Sequence, residues 1–282
     1  MAEVKTISAP AIDLVDESFD PEKSNTYHLS ILLSENNLCY SILDANTNKY
    51  VVLHFTPTLN GEDALAPLQG LGVTNFKSVT CAVAHPKFTL VPSALFDDAS
   101  KESLLAFNHP VESGEKIHSD TLRNVDAKNL FTIPRDLEKQ VREYFPNAHF
   151  LHNSTAFIEA LLTLNKNNKG KKVFADFHSS YFEIVILDGR ELLFSNAFQY
   201  KTPEDIAYYI LFVYEQLHLS PEETELVLSG SIEKAAPEHS LLYNYIRNVK
   251  FASLPESFKY SYKFDEIQLH HFFSLFNQYL CA

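Results

Sequence analysis

The sequence has 282 residues, 45% hydrophobic and 13% aromatic, which suffices for one large core or two smaller ones, with domain-size priors favouring two. Lysine and arginine number 23 against 36 aspartates and glutamates, a formal charge of −13 with no basic run to interrupt it. Sequence-independent nucleic-acid binding and attachment to an anionic membrane face both need a cationic surface, so neither is expected.

Cys39, Cys81 and Cys281 are odd in number and far apart, with no Cys-x-x-Cys pair and no zinc-ligand spacing, so they read as reduced, buried thiols of a cytoplasmic protein. No segment has the apolar length of a signal peptide or a membrane span, and insertion into a bilayer is not expected. Only seven glycines occur, a scarcity that bears on phosphate binding.

In chain order, residues 1–24 read as a flexible leader. Residues 27–34, 38–43 and 50–55 then alternate or run apolar as three strands joined by the turns Asn36-Asn37 and 44–49. A helix over 62–71 and a strand over 78–84 follow, then a strand at 88–91, a helix at 100–107, and two strands at 117–122 and 130–133. Pro134 opens a helix carrying Leu137, Val141 and Phe145 at helical spacing. After a short strand at 150–151, Asn153 or Ser154 caps a helix whose Phe157, Ala160, Leu161 and Leu164 share one face.

A polar link ending at Gly170 leads into a second meander at 171–177, 181–187 and 192–198, with Asp188-Gly189 as its tight turn. Thr202, Pro203 and Asp205 start the longest amphipathic helix; its aromatics Tyr208, Tyr209, Phe212 and Tyr214 are expected to pack against the core rather than form a ligand cage. A strand at 225–228 follows, and residues 264–280 read as a helix apolar on most sides that folds back on the core. Within it His270 and His271 are neighbours, so they do not share a metal; one is expected buried and the other solvated.

The two meanders superpose through Ile42-Leu43-Asp44 and Ile186-Leu187-Asp188, 144 positions apart, and each is followed by a helix and an apolar strand. The chain therefore reads as α/β, a duplicated β-β-β-α-β-α unit. The expected divisions are the leader at 1–24, a first subdomain at 25–150, a second at 151–264, and the returning helix at 265–282.

Three stretches carry a family resemblance. Asn153-Ser154-Thr155-Ala156-Phe157-Ile158-Glu159-Ala160-Leu161 resembles the interdomain helix of the actin-like ATPase superfamily, which includes actin, the Hsp70 nucleotide domain, sugar kinases and pilus-assembly homologues. Val173-Phe174-Ala175-Asp176-Phe177-His178-Ser179-Ser180-Tyr181 resembles its second phosphate loop, and Leu226-Val227-Leu228-Ser229-Gly230-Ser231 the strand and turn that meet adenosine. Within that superfamily, whose fold is two duplicated ribonuclease H-like domains, the chain resembles an uncharacterised bacterial domain-of-unknown-function family with the actin-like ATPase fold.

The resemblance implies phosphate loops of the form Asp-x-Gly, because a Cβ would hold the backbone away from phosphate. The second loop keeps Asp176 but has His178 in place of glycine; the internal alignment puts Leu32 at the first loop's acid and Ser34 at its glycine. Lys201 and Thr202 stand where paired glycines usually open the next helix, and of the adenosine glycines Gly230 remains. The expectation is a pseudo-ATPase, a cytosolic interaction or scaffold module with an unknown protein partner and no cofactor. Ser34, Asp176, His178, Ser179, Ser180, Ser229, Gly230 and Ser231 would be its vestigial nucleotide cleft. The alternative is a divergent ATPase or sugar-type kinase binding Mg-ATP, with Asp176 and Glu35 as its acids. Ser179 or Ser180 with His178 and Asp176 also resembles a nucleophile and base, but neighbours at a strand turn usually point apart and a polar turn is expected. No serine-hydrolase elbow, zinc-protease helix or P-loop occurs.

Overall fold

The computed structural model describes residues 11–57, 65–73 and 75–281. The chain divides into two compact units. One comprises residues 11–159, 255–267 and 274–281; the other comprises 160–254 and 268–273.

The first unit is built on β1 (Ile12–Val15), β2 (Tyr27–Ser34), β3 (Asn37–Asp44), β4 (Lys49–Pro57), a single helical turn α1 (Ala66–Gln69) and β5 (Ser78–Ala84). Next come β6 (Phe88–Pro92), α2 (Lys101–Ala106), β7 (Glu115–Thr121), β8 (Ala127–Pro134), α3 (Arg135–Tyr144), β9 (His149–His152) and α4 (Asn153–Leu164), which is divided between the units after Glu159. The main sheet runs β1-β4-β3-β2-β5-β9, and β6-β8-β7 form a separate antiparallel sheet. β2 and β3 are buried on both faces, which is why they read as nearly unbroken apolar runs.

The second unit contains β10 (Lys171–Phe177), β11 (Tyr181–Asp188), β12 (Glu191–Gln199), α5 (Pro203–Gln216), β13 (Glu225–Gly230), α6 (Pro237–Tyr245) and β14 (Val249–Phe251). Its sheet order is β12-β11-β10-β13-β14. Val173, Ala175, Phe182, Ile184, Leu226 and Leu228 turn one face to Ile206, Ile210 and Val213 of α5. The opposite face carries the alternate residues, including Asp176, Glu183 and Ser229, as the period-2 pleat requires.

Strand order and sense repeat between the units. Each first strand pairs antiparallel with its hairpin partner and parallel with the strand after the helix: β2 with β3 and β5, β10 with β11 and β13. Leu29 faces Ile42 as Val173 faces Ile186, and both meanders shift register at the next step, Ile42/Leu43 and Ile186/Leu187. The spacing of 144 read from the sequence thus reappears in pairing and in a bulge.

Several expectations need correction. Part of the 1–24 leader is ordered: Ile12–Val15 pairs antiparallel with β4, and the buried Asp16 accepts hydrogen bonds from Lys49 Nζ (2.8 Å) and Ser261 Oγ (2.6 Å). Of the helix expected at 62–71 the described part is α1; residues 62–64 lie outside the described residues. The C-terminal helix breaks into 3-10 turns at Tyr262–Phe264, Leu269–Phe272 and Gln278–Cys281 around a short α7 (Phe273–Asn277). Tertiary bonds compete with helical ones there, since the Tyr50 hydroxyl donates to the Phe276 carbonyl and Thr80 Oγ1 to Gln278 Oε1. On α5, Tyr214 is buried and Tyr209 stacks on Phe198, but Tyr208 is 63% and Phe212 43% exposed, so half of the aromatic stripe faces outward. The two strands and helix of residues 237–260, among them β15 (Lys259–Tyr260), which pairs with β4, were not legible from sequence pattern.

Candidate functional site

The C-terminal end of β10 gathers the acidic chemistry of the second unit. Asp176 is buried, and its Oδ1 accepts a 2.7 Å hydrogen bond from Ser229 Oγ on the parallel neighbour β13. Directly across the antiparallel pair stands Glu183, itself 1% exposed, with Ser195 Oγ donating to its Oε1 at 3.3 Å. Burial, and after it the Asp176 charge, push the Glu183 carboxyl well above the usual range. Sequence reading missed Glu183. Its signal was a charged residue inside an otherwise apolar strand, placed opposite Asp176 by hairpin register.

Gly230 ends β13 with φ +74°. A Cβ there would lie 2.2 Å from the Phe177 carbonyl oxygen and 2.9 Å from Asp176 Oδ1, so glycine is what lets the two strands close around the carboxylate. At the hairpin tip the His178 ring stacks on Tyr181 with centroids 4.3 Å apart. His178 Nε2 lies 3.3 Å from Asp176 Oδ2 without the alignment of a hydrogen bond. The His178 amide donates to the Tyr181 carbonyl and the Ser231 amide to the Phe177 carbonyl, while Tyr200 donates through its hydroxyl to the His178 carbonyl and through its amide to the Ser180 carbonyl. Ser179 is half-buried, and Ser180 and Ser231 are exposed. The fold therefore brings Asp176, His178, Ser229 and Gly230 together, with Ser179, Ser180 and Ser231 at the rim.

The equivalent place in the first unit is apolar. Leu32 faces Cys39 across β2 and β3, and Ala82 across β2 and β5, in the positions that Asp176, Glu183 and Ser229 take in the second unit. Leu32 packs into a cluster of Ala82, Leu151, Ala156 and Cys281. Burial pushes the Cys39 and Cys81 thiols up to about 12, and all three cysteines are buried and unpaired. Ser34 is half-buried with its hydroxyl on the Asn37 carbonyl at 3.4 Å, and Glu35 is exposed in the turn. These last two belong to the other unit from Asp176.

Two further clusters resemble chemistry on inspection. His152 Nε2 donates to the His85 carbonyl, so Nδ1 accepts from Ser154 Oγ at 2.7 Å; yet Ser154 is fully buried, which removes any route for a substrate. Beside it Asp120 accepts from Thr155 Oγ1 and the His152 amide, and burial pushes its carboxyl up to about 7. His270 and His271 lie in a 3-10 turn rather than an α-helix, and both direct Nε2 at the Ile232 carbonyl, at 2.8 and 3.3 Å. His270 is buried and His271 half-buried, so neither is the solvated one. Among the described residues no three His, Cys, Asp or Glu side chains are grouped to hold a metal ion.

Residues 16–249 match the model of a family described as protein of unknown function (DUF3822). The chain belongs to that family. A Bacteroides thetaiotaomicron VPI-5482 protein described as having an actin-like ATPase fold and unknown function is 26% identical, with a TM-score of 0.75 over 83% of this chain and 93% of that one. A chain of the PilM–PilN type IV pilus biogenesis complex is 15% identical, with a TM-score of 0.58 over 90% of this chain and 96% of that one. This DUF3822 member therefore has the actin-like ATPase fold. Comparison with curated proteins gives no match. Among the described residues no helix is long and apolar enough to cross a membrane.

Proposed function

We propose that this protein is a catalytically degenerate member of the actin-like ATPase fold that works as a cytosolic interaction or scaffold module, with a protein partner and without a nucleotide cofactor. The observation that carries the reading is the asymmetry of the two loops. An ATPase of this fold needs an acid from each half to organise Mg²⁺ and water, and the first unit offers Leu32, Cys39 and Ala82 where the second offers Asp176, Glu183 and Ser229. The second loop fits a triphosphate poorly as well. The imidazole of His178 occupies its tip, and the His178 and Ser231 amides, which would have to face phosphate, are engaged by backbone carbonyls. A partner is suggested by analogy with the chain of the PilM–PilN complex, a warrant of fold alone. Three buried, unpaired thiols support a reducing compartment.

The buried pair Asp176 and Glu183 favours a second reading, a divergent ATPase or sugar-type kinase that uses Asp176 on Mg-ATP. Calorimetric titration with Mg-ATP and a phosphate-release assay separate the two. The proposal expects no heat of binding and no turnover; micromolar binding with turnover abolished in Asp176→Ala would establish the second reading.

A further inference from the structure

The first unit carries a cationic depression that is out of character with a chain of net charge −13. It has a volume of about 490 Å³ and is lined by Lys116 of β7 and by Arg135, Glu138, Lys139, Arg142 and Glu143 of α3. Its organising residue is Glu138 of α3, 5% exposed although its helix neighbours Arg135, Asp136 and Lys139 are exposed. Glu138 Oε1 accepts from Lys116 Nζ at 2.9 Å and Arg142 Nε at 3.1 Å, and Oε2 from His118 Nε2 at 3.0 Å. Burial alone would raise this carboxyl, but the three donors outweigh it and hold it down at about 2, so its charge is fixed at any physiological pH. The Arg142 guanidinium lies 4.9 Å over the Phe150 ring, which fixes its orientation further.

A solvated helix face normally pairs its charges with one another. Here one buried carboxylate gathers two cations and a histidine, and the exposed side chains of Arg135 and Lys139 have no ion-pair partner among the described residues. The cations at 135, 139 and 142 recur at helical spacing, so they line one face of α3 over roughly 10 Å. The Arg135 amide, at the first helical position, donates to the Gly114 carbonyl at 2.9 Å and is not offered to an anion. A compact phosphate would lack the backbone cradle that such groups use. A row of carboxylates spread along a polypeptide matches a row of side-chain cations.

We infer that the α3 and β7 depression is a docking site for an acidic segment of a partner protein, with Arg135 and Lys139 as its free contacts and the Glu138 cluster holding Lys116 and Arg142 in place. The inference rests on the interaction-module reading only for the existence of a partner, and the nucleotide titration tests that reading separately. Fluorescence anisotropy of the full chain with fluorescein-labelled octaglutamate is the direct test. Saturable binding at low ionic strength is expected, weakened at least ~10-fold in Arg135→Glu/Lys139→Glu and unchanged in Lys166→Glu/Lys169→Glu, which alters net charge equally at an exposed loop of the other unit. Absence of saturable binding would overturn the inference, as would equal losses in both double variants. So would displacement of the peptide by inorganic phosphate at equal concentration, or co-sedimentation with phosphatidylglycerol vesicles that the Arg135→Glu/Lys139→Glu change abolishes while peptide binding persists.

Discussion

Gly230 shows how one side chain, by its absence, fixes a site. Its φ of +74° and the 2.2 Å approach to the Phe177 carbonyl oxygen leave no room for a methyl group, and both terms act against Gly230→Ala. Chemical denaturation should show that variant less stable by about 3 kcal/mol, the sum of a left-handed backbone and an overpacked contact. Glu183 makes a different prediction. Its folded carboxyl titrates well above the ordinary 4.5, so the folded state binds a proton that the unfolded state has lost. Its contribution to stability is complete below the ordinary carboxyl value of about 4.5 and is lost as pH rises from there through the raised folded value. Glu183→Gln should flatten that decline and be neutral or stabilising at alkaline pH in denaturation curves recorded across pH, whereas a steeper alkaline loss in the variant would contradict the buried-pair assignment.

At the scale of elements, local chemistry written in sequence was decisive where it was strong. Thr202 accepts from the Asp205 amide at 3.2 Å and Asp205 Oδ2 from the Thr202 amide at 2.9 Å, a reciprocal cap that begins α5 where Pro203 permits it. Thr202→Ala should cost about 1 kcal/mol in thermal or urea unfolding, with Thr202→Ser close to wild type. The elements that escaped sequence reading are those whose partner lies far along the chain. β1 exists because β4 offers it a free edge, and β15 because the same strand accepts Lys259 and Tyr260 beside Lys49 and Tyr50. Tyr208 and Phe212 face outward because the core under α5 is filled by Ile206, Ala207, Ile210, Val213 and Tyr214, and periodicity gives a stripe but not its width.

For the whole molecule, the C-terminal segment closes the first unit rather than lying on it as a separate helix. Tyr50, Thr80 and Arg123 reach the carbonyls or side chains of Phe276, Gln278, Leu280 and Cys281. Removal of residues 274–282 should therefore unfold that unit, read as loss of the far-ultraviolet strand signal and of the cooperative melt; a truncated chain that melts like the full one would refute this. The repeat of strand pairing was legible, because a 144-residue spacing in apolar pattern is a local property that hairpin register preserves. The identities of Leu32, Ser34 and His178, on which the pseudo-ATPase proposal rests, are likewise read directly from the chain. What the sequence by itself determined was the alternation, the turns and the caps, which act within a few residues. Only the tertiary structure decided that Glu183 faces Asp176, that Cys281 packs with Ala82, Leu151 and Ala156 beside Leu32, and that Glu138 is buried beneath three donors. Each of those joins residues from separate elements, and the burial that sets their charge and reactivity exists only once those elements have packed.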